Sequence, residues 1–333
     1  MKQKIRYRRR RDLALKKFSA ETILNQLYLT LKATGLVRIY SKGRPCDVRK
    51  EKLIAFIIDS RMLGKGYELM EQESELYLKE HYDHSTLQYH YTAITHDVLY
   101  KISMLFRDKI YKLANEILLH ILDSTALSTS VREERTRQGT RNKEKITDKI
   151  HTIIGYDPPL NIVIVEDILI SDHHLSDGKG GEKMVEKNSF KGLLFGDSKY
   201  GTYDLIQLAE NKLLFPVLKQ DKREPRKKFT PKARRRKQWN GNPRRLYKEI
   251  RGLGEVVYGG ATRAGLILTK SIRTDNRYKD GLLIAVKHNL NTFLRLKALN
   301  RFFRKTRNIL GIPHFIQEHL CKTIYERFPT SIH

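Results

Sequence analysis

The segment Ile117-Leu118-Leu119-His120-Ile121-Leu122-Asp123 is a short apolar run that ends in a carboxylate. A second run of this kind, Gly192-Leu193-Leu194-Phe195-Gly196, is followed directly by Asp197. Short apolar runs bounded by polar residues are typical of buried strands. If the two strands lie side by side, their carboxyl ends bring both aspartates to one edge of a sheet. We therefore expect Asp123 and Asp197 to lie close together.

The surrounding sequence predicts a mixed α/β sheet. Residues 150–154, 162–165 and 213–218 are further β-rich runs, whereas residues 203–211 have the pattern of a helix. Buried strands that alternate with helices favour this class of fold. More helices are predicted C-terminal to the strands, over residues 247–268, 282–303 and 315–328.

The N-terminal third is predicted to be helical. After a basic arm over residues 1–12, apolar spacing and glycine stops predict helices over residues 13–35, around 53–58 and over 67–78, and Asp83 offers an N-cap for another that continues to Val98. Short helices joined by tight turns, ending in a polar helix with Thr86 and Gln88, are typical of a helix-turn-helix DNA reader. Such helices also occur in cores that touch no DNA, and that alternative stays open.

The charge balance favours a polyanionic partner. Sixty-five Lys and Arg face 37 Asp and Glu, which gives a formal net charge of +28. The candidate partners are nucleic acid, an anionic membrane and heparin-like polymers, and the alternative is a surface adapted to heat or salt. The basic residues are clustered, above all in a loop over residues 219–245, which favours nucleic acid. Candidate DNA contacts in that loop are Arg234, Arg235, Arg236, Lys237 and Trp239. No run of about 18 apolar residues is present, so no membrane span is expected.

A metal site needs a third carboxylate, and Glu255 on a predicted helix is the candidate. Magnesium binds hard oxygen ligands and keeps positions open for water and phosphate. The segment Ser171-Asp172-His173-His174-Leu175-Ser176-Asp177 is a competing acidic and histidine cluster, but we favour its interpretation as a helix-capping loop. His120 is interpreted as a buried, hydrogen-bonded histidine.

Three blocks of this sequence resemble prokaryotic insertion-sequence transposases of the DDE class. The first is Ile121-Leu122-Asp123-Ser124-Thr125, and the second is Gly196-Asp197-Ser198-Lys199-Tyr200. The third runs from Tyr247 through Arg251 and Glu255 to Gly260 and is similar to the tyrosine–arginine–glutamate signature of the family. The resemblance covers roughly residues 115–300, and the order and spacing of the blocks carry it.

The resemblance implies a fold and a chemistry. The expected fold is an RNase H-like α/β catalytic domain over residues 115–333, behind an N-terminal helix-turn-helix-like region over residues 13–114. Asp123, Asp197 and Glu255 would be catalytic and would bind Mg²⁺, for which Mn²⁺ can substitute. The partners would be double-stranded DNA, at the terminal repeats and at the target site, and further copies of the chain. The expected location is the nucleoid in the cytoplasm of a prokaryotic cell.

The DNA contacts depart from the family pattern. Tyr247, Arg251 and Arg263 are the candidates near the third block. The family often has a lysine seven residues after the glutamate, where this chain has Thr262, so Arg263 beside it is the candidate substitute. Two other functions stay open, namely an inactive or repurposed DNA-binding protein, and an RNase H-like nuclease without strand transfer.

Overall fold

The computed structural model describes residues 18–35, 49–114, 117–129, 148–158, 160–218, 247, 250, 252–263, 268–269 and 274–310. Its helices are α1 (Ala20–Thr34), α2 (Lys50–Met62), α3 (Tyr67–Leu78), α4 (His84–Ala93), α5 (His96–Tyr111), α6 (Asp177–Lys187), α7 (Tyr203–Asn211), α8 (Gly254–Arg263) and α9 (Thr274–Leu310). Its strands are β1 (Leu119–Thr129), β2 (Asp148–Asp157), β3 (Ile162–Ser171), β4 (Gly192–Gly196), β5 (Leu214–Leu218) and the short β6 (Leu268–Thr269).

Five strands form a mixed sheet in the order β3-β2-β1-β4-β5. β2 is antiparallel to both of its neighbours, whereas β1, β4 and β5 are parallel to one another. The two-residue β6 pairs with the far end of β1. The predicted mixed α/β sheet flanked by helices is confirmed, and its strand order is compatible with an RNase H-like fold.

The two faces of the sheet are covered by different helices. Along β1, Ile121 belongs to a large core shared with helices α1–α5, α8 and α9. Its neighbour Leu122 belongs to a smaller core with α6 and α7. Successive side chains of a strand point to opposite faces, so this alternation fixes the face to which each residue of β1 belongs.

The apolar run predicts that β1 ends at Asp123, but the strand continues beyond this residue. The parallel pairing with β4 ends at Leu122 and Gly196, but the antiparallel pairing with β2 continues to Leu127 and Asp148. Asp123 therefore lies inside a strand, at the point where one of its two neighbours ends. Asp197 follows the last residue of β4, as expected, and its side chain caps a short 3-10 helix by accepting from the amide of Lys199.

The predicted helices of the N-terminal third are confirmed where the structure describes them, with two corrections. The helix predicted over residues 13–35 begins at Ala20, because Ser19 is extended and caps it. The helix predicted to run from Asp83 to Val98 is two helices, α4 and α5. The helix is interrupted at Ile94 and Thr95. Thr95 adopts an extended conformation, and its side chain caps α5 by accepting a hydrogen bond from the amide of Val98.

Helices α1–α5 belong to the same hydrophobic core as one face of the sheet. α5 contacts β3 directly, and α9 packs against α2, α5 and β3. Arg61 of α2 donates to both oxygens of Asp280 of α9, at 2.7 and 2.9 Å, and the Tyr91 hydroxyl donates to Asp280 Oδ1 at 2.8 Å. From α9, Asn289 bonds to the backbone of Val165 in β3 and to Ser103 in α5. The helix-turn-helix interpretation of this region stays a prediction.

The C-terminal helices differ from their predicted bounds. α8 covers only part of residues 247–268, and the end of that range forms β6. α9 is longer than predicted and begins at Thr274. The arm over residues 1–12, the loop over residues 219–245 and the helix predicted over 315–328 lie outside the described residues.

Candidate active site

The strand register brings Asp123 and Asp197 side by side. Leu122 pairs with Gly196 across the parallel strands β1 and β4, and the two aspartates are the next residues along each strand. Asp123 shares its face with Ile121, and Asp197 shares its face with Phe195, so both lie on the face covered by the larger core. Both side chains are half-buried.

Glu255 reaches the same place on α8. The residue before it, Gly254, packs directly on Asp123, because a Cβ at Gly254 would lie 2.5 Å from Asp123 Oδ2. Only glycine allows the start of the helix to come so close to that carboxylate without displacing it. Glu255 itself is exposed, in the first turn of the helix.

Tyr258, one turn further along α8, fixes the helix to the sheet. Its hydroxyl lies 2.8 Å from Thr152 Oγ1 and donates to the backbone oxygen of Asp123 at 3.3 Å. Thr152 is the β2 residue that pairs with Asp123. Burial, and secondly the charge of Asp123, raise the pKa of Tyr258 well above its ordinary value, so the hydroxyl keeps its proton as a donor.

The three acidic residues line one open pocket of about 90 Å³. Its walls are Ile121, Leu122, Asp123, Phe195, Gly196, Asp197, Tyr247 and Glu255. Two backbone amides orient the aspartates: Ser124 donates to Asp123 Oδ1 at 2.9 Å, and Lys199 donates to Asp197 Oδ1 at 2.8 Å. The pocket therefore combines apolar walls with carboxylates from three separate segments of the chain.

The side chains of this pocket fit a divalent metal ion by their chemistry. All three are carboxylates, which supply the hard oxygen ligands that Mg²⁺ and Mn²⁺ prefer. Among the described residues, no three acidic, histidine or cysteine side chains are placed so that they could hold one metal ion together. Mg²⁺ commonly binds through one or two carboxylates together with substrate phosphates, so three converged ligands are not required before the substrate binds.

On the opposite face of the sheet, Asp177 forms a buried cluster that the sequence had not revealed. The capping interpretation of residues 171–177 is confirmed, since Asp172 accepts from the amides of His174 and Leu175, and Ser176 caps α6. Asp177 itself, however, accepts from Ser124 and Lys149. Burial alone would raise the pKa of Asp177, but these hydrogen bonds and the lysine charges outweigh it and lower the pKa below its ordinary value. An apolar or polar pattern could not have revealed this contact, because it joins segments far apart in sequence.

The structure describes only some of the predicted DNA contacts. Tyr247 is buried at the wall of the pocket. Thr86 donates to Asp83 at the start of α4, whereas Gln88 is exposed. Thr262 donates to the backbone oxygen of Tyr258 within α8. The remaining candidates lie outside the described part of the chain: Arg234, Arg235, Arg236, Lys237, Trp239, Arg251 and the side chain of Arg263.

His120 is a buried structural residue, as predicted. Its Nδ1 lies 2.6 Å from Glu166 Oε2, its Nε2 lies 2.9 Å from the backbone oxygen of Lys191, and its ring stacks on Phe190. Glu166 also accepts from the hydroxyl of Tyr111 at 2.6 Å. This network lies at the start of β1, and none of its residues lines the pocket.

Comparison of the chain with models of protein families and with curated proteins gives no match. In the part of the chain that the structure describes, no helix is long and apolar enough to cross a membrane.

Proposed function

We propose that the protein is a metal-dependent DNA transposase, which cuts phosphodiester bonds at transposon ends and joins the freed ends to target DNA. The observation that carries the proposal is the meeting of Asp123, Asp197 and Glu255 in one pocket. The three blocks that resemble DDE transposases were defined by sequence, and each contributes one carboxylate to that pocket. A chance resemblance gives no reason for the three blocks to share a site.

The three carboxylates would hold the metal, each from a differently supported segment. Asp123 is held inside β1 with Gly254 packed against it, Asp197 is held by the amide of Lys199, and Glu255 is presented by the helix that Tyr258 fixes to the sheet. When bound, divalent ions supply Lewis-acid activation of the attacking and leaving oxygens. The residues of this chain then need to place one phosphodiester in the pocket, and the exposure of Glu255 leaves one side of the pocket open for it.

DNA is the proposed substrate because of the charge. A formal net charge of +28 on 333 residues favours the binding of a polyanion. The basic residues would bind the phosphate backbone, because phosphate contacts supply affinity and fix the position of the DNA. Such contacts would place a phosphodiester at the carboxylate pocket. Two transposon ends must be held together for transposition, so we propose an oligomer on DNA. The RNase H-like fold and the helix-turn-helix region belong to the same proposal.

The test is a cleavage and strand-transfer assay on DNA that carries the sequences flanking the gene. Wild-type protein with Mg²⁺ should nick the ends and join them to a target, and chelation of the metal should abolish both reactions. Asp197→Ala should lose cleavage by at least about 1000-fold, because the residue would bind the metal directly. Asp204→Asn is the matched control, since Asp204 is an exposed acidic residue on the nearby helix α7 that pairs with Lys179.

Each of the alternative functions predicts a different result in the same assay. DNA binding without cleavage in Mg²⁺ or Mn²⁺ would identify an inactive or repurposed DNA-binding protein. Metal-dependent cleavage of branched or RNA-containing substrates without strand transfer would identify a nuclease. Cleavage that survives Asp197→Ala would contradict the proposed site in either case.

A further inference from the structure

Asp177, the first residue of α6, lies on the face of the sheet opposite to the carboxylate pocket. Its side chain is 3% exposed, and its oxygens contact three other segments of the chain. Oδ1 accepts from Ser124 Oγ at 2.9 Å and from Lys149 Nζ at 3.2 Å, whereas Oδ2 lies 3.3 Å from Lys199 Nζ. A buried carboxylate with this many partners has a fixed position.

Two of these partners also hold the aspartates of the pocket. Ser124 follows Asp123 directly, and its amide donates to Asp123 Oδ1 at 2.9 Å. Lys199 follows Asp197 by two residues, and its amide donates to Asp197 Oδ1 at 2.8 Å. Each of the two residues therefore binds Asp177 with its side chain and a pocket aspartate with its backbone amide.

The start of α6 is held in place independently of these two links. Ser176 caps the helix, and Lys149 approaches Asp177 from β2. A Cβ at Gly178 would lie 2.7 Å from the Thr202 side chain and 3.3 Å from the backbone oxygen of Lys199, so α6 packs closely on the loop that follows Asp197. Asp177 is thus a fixed point that contacts both strand β1, at Ser124, and the loop that follows Asp197, at Lys199.

We infer that Asp177 is a positioning residue, which acts through Ser124 and Lys199 to orient the carboxylates of Asp123 and Asp197 from the other side of the sheet. One buried carboxylate then sets the relative orientation of the two aspartates. The effect of Asp177 on metal affinity rests on the proposed function, whereas its effect on the two amides does not. This separation allows the two ideas to be tested apart.

The first measurement is amide hydrogen exchange in the metal-free protein, compared between wild type and Asp177→Asn. The asparagine keeps the size of the side chain but loses the charge that attracts Lys199, and its amide oxygen is a weaker acceptor for the Ser124 hydroxyl than the carboxylate is. The amides of Ser124 and Lys199 should exchange faster by roughly ten-fold, the factor that corresponds to one charge-assisted hydrogen bond. Asp204→Asn is the control, since Asp204 also lies in the first turn of a helix and also pairs with a lysine but is exposed.

The second measurement is Mn²⁺ binding by calorimetry. Asp177→Asn should bind Mn²⁺ about 10-fold to 100-fold more weakly than wild type, the range found for residues that orient metal ligands. Asp204→Asn should bind with wild-type affinity. A purely structural role of Asp177 would lower the melting temperature without accelerating exchange at these two amides in the folded protein.

Ser124→Ala provides a second variant that leaves the lysine contacts of Asp177 in place. It should accelerate exchange at the amide of residue 124 and leave the Lys199 amide unchanged, because only one of the two links is cut. Equal acceleration at both amides, or none at either, would overturn the inference. Wild-type exchange and wild-type Mn²⁺ affinity in Asp177→Asn would overturn it as well.

Failure of the proposed function gives a different result. If wild-type protein binds no Mn²⁺ that depends on Asp197, the proposed metal site is wrong. The exchange data then decide the inference alone: faster exchange at Ser124 and Lys199 in Asp177→Asn supports it, and unchanged exchange overturns it.

Discussion

At the scale of single residues, the pocket depends on the absence of a side chain at Gly254. A Cβ at this position would lie 2.5 Å from Asp123 Oδ2 and 3.2 Å from its Cγ, which is closer than real Cβ contacts allow. Either the aspartate or the start of α8 would have to move. In both cases the relative position of the Asp123 and Glu255 carboxylates would change.

Gly254→Ala should therefore lower metal-dependent cleavage by at least about ten-fold, because displacements of about 1 Å near reacting groups have effects of this size or larger. Gly259→Ala is the control in the same helix, since nothing lies within 4 Å of a Cβ at Gly259. The control should keep full activity and gain stability, because alanine favours a helix over glycine by roughly 1 kcal/mol. Equal losses of activity in the two variants, measured as kcat, would contradict the role of Gly254.

At the scale of secondary-structure elements, a buried polar network ties α5 and β1 to β3. Glu166 of β3 forms hydrogen bonds with the His120 ring of β1 and with the hydroxyl of Tyr111 of α5. Burial opposes the charge on His120, but the charge and hydrogen bond of Glu166 and the carbonyl of Lys191 outweigh it and raise the pKa of His120. Both ring nitrogens face acceptors, which suits the doubly protonated ring.

The pH dependence of stability follows from this shift. Because the folded pKa of His120 is raised, its stabilisation is fully present below about pH 6.5, the ordinary value, and is lost as the pH rises through the folded value. His120→Gln should lower the free energy of unfolding by roughly 3–5 kcal/mol at pH 5.5, since it leaves Glu166 buried without its partner. The difference should shrink at pH 9, as followed by urea unfolding.

The surface variant His84→Gln serves as the control for this series. His84 lies 3.1 Å from Glu71 with 60% of its side chain exposed, so its removal should cost at most about 1 kcal/mol. A difference in the free energy of unfolding between wild type and His120→Gln that grows with pH would contradict the raised pKa of His120.

Local signals in the sequence predict most element bounds, and long-range pairing explains the failures. α3, α7 and β4 have their predicted bounds, as caps and apolar runs define them. The end of β1 could not be read in this way, because its pairing with β2 carries the strand past Asp123. Thr95 is a favourable N-cap residue and could have predicted the break between α4 and α5. The apolar spacing, however, continues across the break and predicts one helix.

The candidate site was predicted in part. The pattern of two strands predicts that Asp123 and Asp197 lie beside each other. Glu255 is predicted as the third carboxylate from its place on a later helix, and the resemblance to a family adds support to that choice. No spacing rule brings Gly254 onto Asp123, because this contact depends on how α8 packs against the sheet. The sequence predicts Asp177 only as part of a helix-capping loop, since a local pattern cannot show that Ser124 and Lys199 contact it.

At the scale of the whole molecule, the N-terminal helices and the sheet share one core. Asp280 of α9 joins this helix to the N-terminal helices, with its side chain 4% exposed and hydrogen-bonded to Arg61 and Tyr91. Removal of one partner of a buried ion pair leaves an uncompensated charge. The helical region should therefore lose stability together with the sheet.

Asp280→Asn should lower the free energy of unfolding by roughly 3–5 kcal/mol, since Arg61 stays buried without its carboxylate. Hydrogen exchange should accelerate in α2 and in β3 alike, because both contact α9. Asp97→Asn, which removes an exposed pair with Lys101, should have little effect. Faster exchange confined to the N-terminal helices would indicate that they unfold as a separate unit.

The most direct measurement of the proposed metal site formed by Asp123, Asp197 and Glu255 is affinity cleavage by iron. Fe²⁺ bound in place of Mg²⁺ and treated with peroxide and ascorbate would generate hydroxyl radicals that cut the polypeptide close to the metal. We expect cuts near residues 123, 197 and 255, suppressed by excess Mg²⁺ and absent in Asp197→Ala. Cuts confined to other segments, such as the one around His173 and His174, or cuts at the three positions that persist in Asp197→Ala, would contradict the proposed metal site.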